Sequence, residues 1–106
     1  MESINQTIIE AQAIEALRTC FDPEIPVNIY EMGLIYEVKV DETGKVTIQM
    51  TLTSPSCPAA QSIPAEVEQK VRAIDGVTDV QIDLVWEPPW DQNKMSEAAR
   101  LQLGML

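Results

Sequence analysis

The stretch that decides the fold is LIYEVKVDETGKVTIQMTLT, residues 34–53. Leu34 to Val40 and Lys45 to Thr53 are rich in β-branched and aromatic residues. In the second segment Val46, Ile48, Met50 and Leu52 alternate with Thr47, Gln49, Thr51 and Thr53, the period of a strand with one buried face. Between them DETG supplies short polar residues and a glycine able to take positive φ, so the two strands are read as an antiparallel hairpin.

Upstream, Ile9, Ala13, Ala16, Leu17 and Cys20 share one stripe of a helix covering about residues 7–20. FDPEIP then ends the helix, because Pro23 and Pro26 lack amide donors and push the residues before them out of helical geometry; an extended loop runs to about Gly33. Downstream of SPSCP, a second helix has Ala60, Ile63, Val67, Val71 and Ile74 on one face and stops at Asp75-Gly76. Pro64 costs roughly 3 kcal/mol in a helix interior, so this helix either kinks there or begins near Ile63. Val80, Ile82, Leu84 and Trp86 mark a third strand that EPPW terminates, with Trp86 inward, and a last helix covers about residues 94–104. The order α-β-β-α-β-α implies an α+β fold: a two-layer α/β sandwich, a three-stranded sheet with helices on one face, forming one domain over 1–106 with its core at about 8–90.

Charge and composition narrow the function. With 106 residues, 45% of them hydrophobic, the chain has the size of one globular domain. A net charge of −10 repels phosphate backbones and anionic lipid surfaces, so neither nucleic acid nor membrane is an expected partner. The absence of histidine removes imidazole bases and histidine-containing metal sites. Two cysteines 37 positions apart make no disulfide framework, and the N-terminus lacks a basic, apolar leader pattern, so a cytoplasmic protein with reduced thiols is expected.

Few residues remain for chemistry. Cys57 stands between a strand and a helix and between Pro55 and Pro58, where helix-terminal and loop amides would favour a thiolate able to bind metal; packing is the alternative reading for a lone cysteine. Cys20, on the apolar stripe, reads as core. Asp22 and Glu24 form either a carboxylate pair or a solvated helix-ending turn. Trp90, outside the strand pattern, is divided between core anchor and partner surface.

Three separated motifs, DPEIPVNIYEMGLIY, TLTSPSCP and VWEPPWDQNKMSEAARLQLGML, make the sequence resemble the MIP18 family, also called DUF59, in its short SufT-like form, over roughly residues 10–106. The resemblance implies a fold related to the C-terminal domain of NifU, with an α-β-β-α-β core. It implies no enzyme but an accessory or carrier factor in iron-sulfur cluster assembly, with assembly proteins and recipient apoproteins as partners and no nucleotide. The motif cysteine corresponds to Cys57, and Asp22, Glu24, Asn28 and Thr53 correspond to its supporting positions; Met32 stands where leucine is usual, a change that conserves volume. No cysteine follows Cys57, unlike the phenylacetate-degradation subunit PaaD and its like, so a tail zinc site is not expected.

A cluster commonly takes four thiolates, and one chain offers Cys57, with Cys20 a second only if exposed. A transient iron-sulfur cluster or iron ion would then need ligands from elsewhere: a homodimer pairing two Cys57 thiolates, a partner thiol, glutathione or Asp22. The alternatives are an adaptor without metal that docks cluster machinery to clients, and a PaaD-like subunit of a multicomponent oxygenase pathway.

Overall fold

The structure, a computed structural model, describes residues 4–21, 27–52 and 59–104. Its centre is the hairpin of β1 (Ile35–Val40) and β2 (Lys45–Met50), paired antiparallel with Val38 opposite Ile48 and Val40 opposite Val46. Asp41 closes the turn: one carboxylate oxygen accepts hydrogen bonds from the Thr43 amide (2.9 Å), the Thr43 hydroxyl (2.7 Å) and the Lys45 amide (3.0 Å). Gly44 takes φ +93°, and a β-carbon there would overlap the Gly76 carbonyl oxygen, so the sharp turn demands glycine twice over.

Flanking helices complete two layers. Helix α1 (Ile4–Leu17) packs on β1, α2 (Ala59–Arg72) packs on β3 (Asp79–Leu84), and the two helices touch each other. β3 lies parallel to β2 in a sheet of order β1-β2-β3, with α2 as the crossover that a parallel pair requires. Val46, Ile48 and Met50 are fully buried on the helix side, while Lys45, Thr47 and Gln49 on the other side are half-buried. Ile9, Ala13 and Leu17 from α1 and Ile63, Val67 and Val71 from α2 close the core over them. The α+β sandwich expected from the alternation is therefore the fold observed. No helix among the described residues is long and apolar enough to cross a membrane.

Element ends differ from expectation for local reasons. α1 stops at Leu17 because the chain tightens: the Thr19 amide bonds to Ala16 O (3.0 Å) and the Cys20 amide to Leu17 O (3.2 Å), three residues back in each case. The Thr19 hydroxyl also donates to Ala16 O at 2.6 Å, competing with helix continuation. Cys20 is still carried inward and is fully buried. α2 begins at Ala59 and continues through Pro64, the earlier of the two starts expected, and it ends at Arg72, leaving Ile74 in the turn that follows. β2 ends at Met50 rather than Thr53; Thr51, expected to face outward, is fully buried and its amide donates to Leu34 O at 2.8 Å. The last helix, α3 (Glu97–Gln102), is shorter than expected, started by Ser96, whose hydroxyl accepts from the Ala99 amide at 3.1 Å.

Trp86, expected to point into the core, is 40% exposed and is not a core anchor. Burial fades along β3, an edge strand, from Val80 (5%) through a half-buried Ile82 to Leu84 (36%), so the inward register continues past the layer that covers it.

Candidate functional site

Of the residues singled out from the sequence, Asp22, Glu24, Thr53 and Cys57 lie outside the described residues. The structure does describe the framework at the ends of both stretches that carry them. Phe21 and Asn28 form an antiparallel bridge, and the Ile29 amide donates to Cys20 O at 2.9 Å, so the two ends of the 22–26 stretch are fastened together. The Leu34 amide donates to Ile29 O (3.2 Å), and the Thr51 amide donates to Leu34 O (2.8 Å). This relay of backbone bonds links the end of α1, the 28–33 turn and the residues just before the 53–58 stretch.

Asn28 organises the turn. Its side-chain oxygen accepts from the Glu31 amide at 2.9 Å, and its backbone carbonyl accepts from the Met32 amide at 3.0 Å, the behaviour that makes asparagine a turn former. Its position is thus a structural one at the base of the acidic stretch. α2 starts two residues after Cys57 in the chain, and its first turn contains no acidic residue, so the positive end of a 14-residue helix is unopposed by its own side chains.

The second cysteine has a settled role. Cys20 is buried, its sulfur 3.6 Å from Ala16 O, with Glu66 and Lys70 of α2 acting on it electrostatically. Burial first and the Glu66 carboxylate second push its thiol up to about 11, so it is protonated near neutral pH, as befits a thiol packed in the core. Lys70 does not reverse this, since its ammonium is held by Thr19, donating to the carbonyl and the hydroxyl at 2.9 Å each. The reading of Cys20 as core is what the structure shows. Among the described residues no group of three acidic or thiol side chains is gathered to hold a metal.

Trp90 is half-buried and packs against the core, and its indole N–H donates to Met32 O at 2.7 Å. The tie from Tyr36, whose hydroxyl donates to Pro88 O at 2.7 Å, was not foreseen; no residue pattern announces a side chain that meets a backbone carbonyl 52 positions away. A cavity of about 450 Å³ lined by Asn5, Ile9, Asp41, Gly44 and Asp75 sits at the hairpin turn, at the other end of β2 from Leu52, and is unconnected with the motif framework.

Comparison with known proteins finds relatives along most of the chain. The family model described as iron-sulfur cluster assembly protein matches residues 10–84. A Porphyromonas gingivalis protein named Fe-S protein maturation auxiliary factor is 53% identical over 97 residues, covering 92% of each chain. A Bacillus subtilis Fe-S protein maturation auxiliary factor is 43% identical, covering 85% of this chain and 88% of its own. The crystal structure of a DUF59 domain from Bacillus anthracis superposes with a TM-score of 0.89 at 33% identity, over 99% of this chain and all of the other.

Proposed function

The chain belongs to the iron-sulfur cluster assembly protein family, and from that premise we propose that it is an auxiliary factor in the maturation of iron-sulfur proteins, a cytoplasmic carrier rather than an enzyme. The observation that carries this reading is the 53% identity to a maturation factor along 92% of both chains. The cluster is its cargo, and Cys57 is the thiolate that holds it transiently.

The chemistry of the thiols supports the assignment. A cluster commonly needs four thiolates, the chain has two cysteines and no histidine, and Cys20 is a buried thiol that stays protonated. One ligand per chain leaves the cluster under-coordinated, so the remaining ligands come from a second copy, an assembly protein or the recipient apoprotein. Weak, incomplete ligation suits a carrier, since the cargo must depart as readily as it arrives. Asp22, Glu24 and Thr53 complete the pocket in this reading, with Asn28 fixing the turn at its base.

The test is replacement of Cys57 by serine in cells that depend on this protein. The variant is expected to fold with unchanged thermal stability and to lose support of cluster-dependent enzymes. Full enzyme activity in cells carrying Cys57→Ser would dispose of the thiolate's role.

A further inference from the structure

Residues 85–103 pass back over the 28–33 turn, and we infer that Trp90 is a positioning residue: its indole N–H holds this turn and thereby the framework at the ends of both motif stretches. The carbonyl inventory of the turn is the starting point. The carbonyls of Asn28, Ile29 and Tyr30 accept from Met32, Leu34 and Gly33 within the turn itself. Those of Glu31 and Met32 are taken by the returning segment, from the Ser96 amide at 2.9 Å and from the Trp90 indole at 2.7 Å.

The same segment is anchored on both sides of those bonds. Tyr36 donates to Pro88 O, the Lys94 ammonium lies 5.1 Å from the centre of the Tyr36 ring, Gly33 meets the Lys94 backbone, and Met95 and Ala99 are buried in the core. It therefore behaves as a strap. Through Ile29 and Leu34 the strapped turn is bonded to Cys20 and Thr51, the residues that stand before the 22–26 and 53–58 stretches. Loosening the strap transmits to both.

The inference rests on the proposed role of Cys57, and its test separates the two. Full-length Trp90→Phe keeps an aromatic ring and removes the donor; Ser96→Pro removes the second donor at a residue whose φ of −64° already suits proline. Val80→Ala, in β3 and away from the strap, is the control for general destabilisation. Amide exchange at Ile29 and Leu34 relative to Val67 and Val71 in α2, and alkylation of Cys57 by iodoacetamide in metal-free protein, are measured on all three. Each strap variant is expected to speed exchange at Ile29 and Leu34 on the order of tenfold, to change the Cys57 alkylation rate, and to shorten retention of a reconstituted cluster, with Val80→Ala doing none of these selectively. Should Trp90→Phe fail to fold, Ser96→Pro carries the test. Exchange and alkylation in the strap variants that match those of Val80→Ala overturn the positioning role, whatever Cys57 does; altered exchange and alkylation with a cluster that Cys57→Ser still retains sustain it and sink the carrier reading instead.

Discussion

Gly33→Ala is the substitution whose cost the structure specifies most fully. Gly33 has φ +79°, and a β-carbon there would sit 2.6 Å from the Lys94 carbonyl carbon and closer still to its oxygen. Two penalties add. Holding alanine in the left-handed region costs roughly 1–2 kcal/mol, and forcing a carbon into occupied backbone space costs about 1–3 kcal/mol more. The sum, roughly 2–5 kcal/mol, is a large share of the ~5–15 kcal/mol that stabilises a domain. Gly104 supplies the comparison, with φ +75° and nothing within 4 Å of the added carbon, so Gly104→Ala bears the first penalty alone, roughly 1–2 kcal/mol. Urea denaturation read by linear extrapolation measures both. Gly33→Ala should cost at least about 2 kcal/mol, lowering the melting temperature by roughly 10 °C or more. Equal destabilisation by the two variants would mean that the strap does not lie against the turn, and the reasoning built on it would fail.

Cys20 should resist iodoacetamide in the native protein at pH 8, as peptide mapping would show; labelling of Cys20 there contradicts its burial. Because its thiol is raised from 9.0 to about 11, the folded state keeps the proton longer than the unfolded state. Stability is therefore undiminished below pH 9 and falls as pH rises towards 11, a slope that Cys20→Ala should flatten in urea titrations at pH 8 and 10.5. Asp41 behaves oppositely: the bond from the Thr43 hydroxyl first, then that from the Lys45 amide, hold its carboxyl below 3.8, so the stability it lends is present above that value and is lost as pH falls through its folded titration. An NMR titration placing Asp41 at or above 3.8 would refute the turn's bonding.

How much could be read beforehand follows from where the signals reside. The hairpin was legible because Val46, Ile48 and Met50 repeat at the period of a strand with one buried side, and the structure buries all three. The stripe of α1 was legible for the same reason, although its end was not, since the stop depends on the Thr19 hydroxyl reaching back to Ala16. Trp86 misled because register says which way a side chain points and not how far the covering layer extends. Trp90 was undecidable from sequence, because its partner is the Met32 carbonyl, a backbone group that every residue but its own surroundings makes alike. Asn28 stood out as a motif position, and its turn-forming bond to the Glu31 amide supplies a physical reason for asparagine there. The assignments of Asp22, Glu24, Thr53 and Cys57 rest on the sequence alone, Cys57 on its place between strand and helix as well as on its motif.

The central claim is that one thiolate per chain, at position 57, grips the cluster. Anaerobic reconstitution of wild type, Cys57→Ser and Cys20→Ala with iron and sulfide counts per chain tests it most directly. The account predicts bound iron and sulfide in wild type and Cys20→Ala, with half a cluster per chain if two copies share it, and none in Cys57→Ser. Equal loading of Cys57→Ser and wild type would contradict it.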